Sequence, residues 1–161
     1  MSRARALVAA MALALACLGC HTGTHQRLYS IAHVEIMDSS EQEIAAHVRH
    51  SFEQDGYELV KQDGGELVFE RVANQREQTL YGRYGETLLM RVEILTEPMA
   101  NGGHLVECDV YTVLGRRVSK LLKMSRRPYQ KRLNRIKAAI ALGLGPSEEV
   151  GDDKDEEDDE T

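Results

Sequence analysis

The sequence predicts a single two-layer α+β domain, an antiparallel sheet of about five strands with two helices on one face. Three observations lead to this prediction. Several runs of β-forming residues alternate apolar and polar side chains, two of these runs are joined by a glycine-rich turn, and two longer segments repeat apolar residues at helical spacing. Their order is strand, helix, four strands and helix, which is typical of a sheet covered by helices on one side.

The first strand and the first helix are predicted from residues 29 to 56. Residues 29–36 are rich in β-forming side chains and indicate a strand. Ser40 and Glu43 have the spacing of a capping box, which marks the start of a helix. Two histidines on this helix, His47 and His50, flank its apolar stripe, and we interpret them as half-exposed surface residues rather than metal ligands. The apolar stripe consists of Ile44, Val48 and Phe52, and the helix ends at Asp55 and Gly56.

A hairpin and a polar loop follow this helix. Residues 57–62 and 66–72 are β-prone runs joined by an Asp-Gly-Gly turn, the pattern of a β-hairpin. Residues 73–85 interrupt the alternation and predict a polar loop that carries Tyr81, Arg83 and Tyr84. Aromatic side chains beside an arginine on a loop are common in contact surfaces. These three residues are therefore one candidate contact for a partner or an anion, and a plain connection is the equal alternative.

Two strongly alternating runs complete the predicted sheet. Residues 86–96 and 104–114 place apolar side chains on one face and polar side chains on the other, which predicts a sheet with one buried and one wet face. Glu107, Asp109 and Tyr111 are expected on the wet face. Cys108 is expected on the buried face, as a small core residue rather than a nucleophile.

A basic segment contains the second predicted helix. Residues 116–137 hold ten lysines and arginines and no acid, and apolar residues at helical spacing predict a helix over residues 127–142. The basic face is either solvated, in contact with anionic lipid headgroups, or covered by the protein's own acidic tail. The residues chosen as candidate contacts for a partner or an anion are Arg126, Arg127, Lys131 and Arg135.

The first twenty residues have the layout of a secretory signal. Two arginines precede an apolar run over residues 6–16, which at about 16 Å of helix is too short to span a bilayer. Small residues ending at a cysteine resemble the lipobox of bacterial lipoproteins. This resemblance implies cleavage just before a cysteine that carries a diacylglycerol. Cys17 is the preferred lipidation site, and Cys20 is the alternative.

These segments divide the chain into four parts. Residues 1–16 form the signal peptide (1–19 if Cys20 is lipidated), residues 17–28 the lipidated N-terminus and tether, and residues 29–145 the domain. Residues 146–161 form a disordered acidic tail; residues 148–161 carry a net charge of −9, against +1 for residues 21–147. The predicted location is the cell envelope, on the periplasmic side of a membrane, with the outer membrane preferred over the inner one.

No catalytic motif is found in the sequence. It contains no nucleotide-binding loop, serine elbow, H-E-x-x-H motif or Cys/His cluster, so we expect no enzyme activity, cofactor or metal, and no nucleic-acid partner. The order of elements broadly resembles small domains of some outer-membrane assembly lipoproteins. The first hypothesis is a lipid-anchored module that binds a protein partner near the membrane, and the alternative is a peripheral module that binds anionic lipid or another anion. A hydrolase using His104, Glu107 and Asp109 is a distant third.

Overall fold

In the part of the chain that the structure describes, a six-stranded antiparallel sheet and three helices form the domain, and this confirms the predicted α+β class. The computed structural model describes residues 30–121 and 126–147. The predicted signal peptide, both candidate lipidation cysteines, the tether and the tail from residue 148 lie outside the described residues. The elements are β1 (Ala32–Ile36), α1 (Glu41–Gln54), β2 (Glu58–Asp63), β3 (Glu66–Val72), α2 (Gln75–Tyr81), β4 (Leu88–Pro98), β5 (His104–Leu114), β6 (Arg117–Lys120) and α3 (Arg126–Ala141).

Strand β5 is the centre of the sheet's topology. Strands β2, β3, β4 and β5 lie side by side in chain order, and β1 and β6 both pair with the remaining edge of β5. β1 takes the first half of this edge and β6 the second half. The two segments meet at its middle, where Ile31 N donates to Cys108 O (3.0 Å) and Leu121 N donates to Val110 O (2.8 Å).

The core lies between one face of the sheet and the two long helices. The predicted stripe of α1 is buried, and Phe52 stacks on Phe69 of β3 with ring centroids 5.1 Å apart. Alternate residues of β4 and β5 complete the core, as their period of two predicts. Helices α1 and α3 therefore cover the same face of the sheet. The residues of α3 that enter the core are Tyr129, Leu133, Ile136 and Ile140.

The segment predicted to be a loop over residues 73–85 contains a helix, α2, so that prediction is wrong. Asn74 caps α2 by accepting from Glu77 N (2.9 Å), and Glu77 Oε2 accepts from Asn74 N (2.8 Å), which completes a capping box. Glu77 also binds Arg71 of β3 through two hydrogen bonds. The helix buries no side chain, so it has no apolar periodicity that could predict it.

The prediction that Glu107 and Asp109 lie on a solvent-exposed face of β5 is also wrong, because both residues are buried. The physical reason is that β5 has strands on both edges along most of its length, so side chains of neighbouring strands cover its second face. The Asp109 carboxylate is only 2% exposed and is compensated: its Oδ1 accepts from Ile31 N (3.1 Å) and pairs with Lys120 Nζ (2.7 Å). The partner strand β6 was not predicted, because its four exposed residues show no alternation.

His47 is another residue whose environment differs from the prediction. It is 5% exposed, not half-exposed, and burial lowers the pKa of its imidazole, with neighbouring His50 acting in the same direction. A lowered folded-state pKa means that the unfolded chain binds a proton more readily than the native protein. Because of His47, the free energy of unfolding therefore decreases as the pH falls below about 6.5, the pKa of this imidazole in the unfolded chain.

We predict that His47→Gln removes part of the acid sensitivity of this protein. Both proteins are unfolded with urea at pH 7.5 and pH 5.5, and the free energies of unfolding are compared. The wild type should lose more stability between the two pH values than the variant does, because only the wild type must keep a neutral imidazole buried. His33→Gln, at an exposed position of β1, is the control. Equal losses in wild type and His47→Gln would contradict the prediction.

Candidate anion-binding surfaces

Two side chains fix the orientation of α3 on the domain. Arg132 lies over the ring of Phe52, 4.6 Å from its centroid, and forms an ion pair with Asp55, the C-cap of α1. Burial and the nearby Arg135 lower the pKa of Arg132 to about 10, so the guanidinium still carries its charge at neutral pH. Gln130 binds β1 from the other side: its Nε2 donates to His33 O (2.8 Å), and its Oε1 accepts from His33 N (3.3 Å).

The rotation set by these contacts turns a line of basic residues outward. Arg127, Lys131 and Arg135 are all exposed, and they follow one another at intervals of four residues, so they form one ridge on the helix. We call these three residues the basic crest. At 1.5 Å per residue the crest is about 12 Å long, and it lies opposite the buried stripe of α3. Arg126, the fourth predicted residue, is also exposed but lies about 100° around the helix from Arg127.

The charges of α3 are unfavourable for the helix itself. Like charges four residues apart destabilise a helix by about 0.2–0.5 kcal/mol per pair. The first turn carries Arg126 and Arg127 and no acid, although the positive end of the helix dipole favours acids there. The sequence of α3 itself contains no Asp or Glu. A helix with these charges is therefore well suited to binding an anionic partner.

The basic end of α3 lies close to the point where the described chain begins. Ile31 is held by Asp109, which also pairs with Lys120. Two residues later His33 is held by Gln130, whose Oε1 also accepts from Arg126 (3.2 Å). Lys120 and Arg126 are thus linked, through Asp109 and Gln130 respectively, to Ile31 and His33, which follow closely after the predicted tether.

The other three predicted contact residues lie at the end of α2 and in the segment that follows it, not on α3. Tyr81 is the last residue of α2 and is 41% exposed, and Tyr84 is fully exposed. Arg83 lies between them in sequence, but it faces the β5–β6 turn, where it lines an open cleft together with Arg116 and Arg117. The basic segment of the sequence is therefore divided between two surfaces, the crest on α3 and this cleft at one end of the sheet.

The residues considered for catalysis are not brought together. Burial strongly raises the pKa of the Cys108 thiol, so it stays protonated and behaves as a core residue, as predicted. His104 projects to the opposite side of β5 from Glu107 and Asp109, because side chains alternate along a strand and the β4–β5 register is unbroken over these residues. Within residues 30–121 and 126–147, no three His, Cys, Asp or Glu side chains are grouped so that they could hold a metal ion.

Three arginines with distinctive positions in the structure, Arg116, Arg117 and Arg132, are not among the candidate contacts chosen from the sequence. Arg132 belongs to the basic segment, but its side chain packs within the fold, against Phe52 and Asp55. In the sequence, only its helical position next to the buried stripe distinguishes it from the crest residues. Arg116 and Arg117 follow Gly115 in a Gly-Arg-Arg turn, which is a usable signal for an exposed hairpin. Their convergence with Arg83, more than thirty residues earlier, has no local signal at all.

None of the helices in the described part of the chain combines the length and the apolar character needed to cross a bilayer. No protein-family model matches this sequence. A search of curated proteins finds no significant match either.

Proposed function

We propose that this protein is a non-catalytic, lipid-anchored module of the cell envelope, whose domain binds a protein partner close to the membrane. The observation that carries this proposal is the basic crest: three exposed cations in one line, on a helix without acids, held outward by a buried opposite face. The partner surface that fits this crest is acidic. Complementary charges of this kind speed up association and set orientation more than they add raw affinity.

The first prediction of this proposal concerns the crest. Arg127→Gln, Lys131→Gln and Arg135→Gln are combined in one variant, and the protein is extracted with mild detergent and purified at low salt. A protein partner should co-purify in stoichiometric amount with the wild type, and its yield with the variant should fall about tenfold or more because the complementary charges are lost.

The control removes the same total charge elsewhere. Arg49→Gln, Lys61→Gln and Arg76→Gln lie at exposed positions on α1, β2 and α2. Two of these three form only exposed ion pairs, which contribute little to stability, so the control should remain folded. A partner that is retained by the crest variant, or lost equally with the control, would show that the crest does not bind it.

The membrane anchor is a second, separate part of the proposal. The resemblance to a lipobox supports lipidation at Cys17, with Cys20 as the alternative. Two or more buried acyl chains, at about 0.8 kcal/mol per methylene group, are enough for stable membrane attachment.

Cys17→Ser should abolish the incorporation of labelled palmitate and release the protein from the membrane fraction, whereas Cys20→Ser should change neither. Mass spectrometry of the mature N-terminal peptide identifies the modified residue directly. The reverse result would assign the lipid to Cys20. An unmodified N-terminus in the wild type would refute the lipoprotein proposal.

A second candidate function is the binding of anionic lipid headgroups. The observation that favours it is the position of Lys120 and Arg126 beside the start of β1, where a short tether would hold them near the bilayer surface. Basic residues near an anionic membrane contribute about 1 kcal/mol each. In this candidate function the acidic residues 148–161, with a net charge of −9, compete with the membrane for the basic surface.

Competition by the tail predicts that its deletion strengthens lipid binding. Residues 21–147 and residues 21–161 are prepared without lipid and titrated with vesicles of phosphatidylcholine and phosphatidylglycerol. At low salt the shorter chain should bind more tightly, and the difference should shrink at about 1 M salt, where the screening length is about 3 Å. Equal affinities at low salt would rule out the screening role of the tail.

A further inference from the structure

An open cleft at one end of the sheet is lined by three arginines that come from two distant parts of the chain. Its volume is about 530 Å³, and it lies between the segment that precedes β4 and the β5–β6 turn. Arg83 comes from the first of these walls, and Arg116 and Arg117 come from the second. None of the functions proposed above uses this cleft.

The charge of the cleft is unbalanced. Among the described residues that line it, Glu86 is the one acidic side chain, so these residues carry a net charge of about +2. Elsewhere in the domain Arg49, Arg71, Arg91 and Arg132 each have a carboxylate partner. Within the ranges that the structure describes, no hydrogen bond or ion pair is formed by the side chains of Arg83, Arg116 and Arg117.

Both walls of the cleft are attached to the best-paired part of the sheet. Leu88, the first residue of β4, pairs directly with Leu114, the last residue of β5, and Leu114 pairs with Arg117 of β6. The turn between β5 and β6 contains Gly115 with a φ of +56°, a conformation that glycine adopts without strain. Strand pairing and this turn therefore set the backbone positions of Arg116 and Arg117 before any ligand binds, and Glu86 N donates to Arg83 O (3.2 Å) in the segment before β4.

The chemistry of these side chains identifies the kind of ligand. A guanidinium group presents a planar fork of donors that matches the oxygens of a phosphate, and it keeps its charge at any physiological pH. A phosphate monoester carries about −1.5 to −2 charges at pH 7, which matches the net charge of the cleft. The volume falls within the range of about 300–1,000 Å³ that is typical of small-molecule sites, so an organic group can accompany the phosphate.

We propose that the cleft formed by Arg83, Arg116 and Arg117 binds a phosphate monoester. The ester is either a soluble phosphorylated compound or the headgroup of a lipid. The Thr87 hydroxyl supplies a further donor at the cleft wall. This proposal depends neither on lipidation nor on the crest.

The test is calorimetric titration of the detergent-solubilised mature protein with two probes, glycerol 3-phosphate and dihexanoyl phosphatidic acid. We expect at least one probe to bind with a Kd between about 10 µM and 1 mM. Similar affinities for the two probes assign the site to soluble phosphate esters. Binding of the lipid about tenfold or more tightly assigns it to a lipid headgroup.

Two variants and one control connect the binding to the cleft. Arg83→Gln and Arg116→Gln should each weaken binding about tenfold or more, because each removes a charged donor fork. Arg76→Gln, at an exposed position of α2 outside the cleft lining, should leave the affinity unchanged. Urea unfolding curves establish that all variants are folded. Absence of binding by both probes, or binding that the two cleft variants do not weaken, would overturn the proposal.

Discussion

The attachment of α3 to the domain is the constraint on which the proposed working surface depends. Arg132 reaches from α3 to the ring of Phe52 and to Asp55, and Gln130 binds both polar groups of His33 in β1. These contacts and the buried stripe leave one rotation for the helix, in which Arg127, Lys131 and Arg135 face solvent. The same helix thus contributes one arginine to the fold and presents three basic residues outside it.

The Gln130 contact also protects an edge of the sheet. Along β1 the outward backbone groups are a template for pairing with another chain, and the Gln130 amide occupies the donor and the acceptor of His33. The opposite edge, β2, is broken by a register shift between Leu59 and Lys61, which makes continuous pairing there difficult. β1 and β2 therefore both disfavour strand-to-strand association, which favours side-chain surfaces over these two edge strands for contact with partners.

Strand β5 connects the two basic surfaces. Its first half pairs with β1, which carries the Gln130 contact of α3, and its last half pairs with β6, which forms one wall of the arginine cleft. The buried Asp109 lies where these two halves meet and binds both Ile31 and Lys120. Loss of this carboxylate would leave Lys120 without its ion-pair partner and Ile31 N with Cys108 O as its remaining acceptor, so we regard Asp109 as a residue that joins the two ends of the domain.

Local patterns in the sequence determined the fold class, the hairpin at residues 57–72, the long strands β4 and β5 and the two long helices. The two long strands and the two long helices each bury an apolar face, so their side-chain period reveals them, and the hairpin is revealed by its glycine-rich turn. Helix α2 and strand β6 bury almost nothing and are held by Glu77, Arg71 and backbone pairing, which have no periodicity. The four basic residues of α3 were predicted as a group, but only three share a ridge. The tertiary structure alone decided which arginines are used inside the fold, that Glu107 and Asp109 are buried, and that Arg83 meets Arg116 and Arg117. Each of these outcomes depends on which strands become neighbours, and that is a property of long-range pairing rather than of any local run of residues.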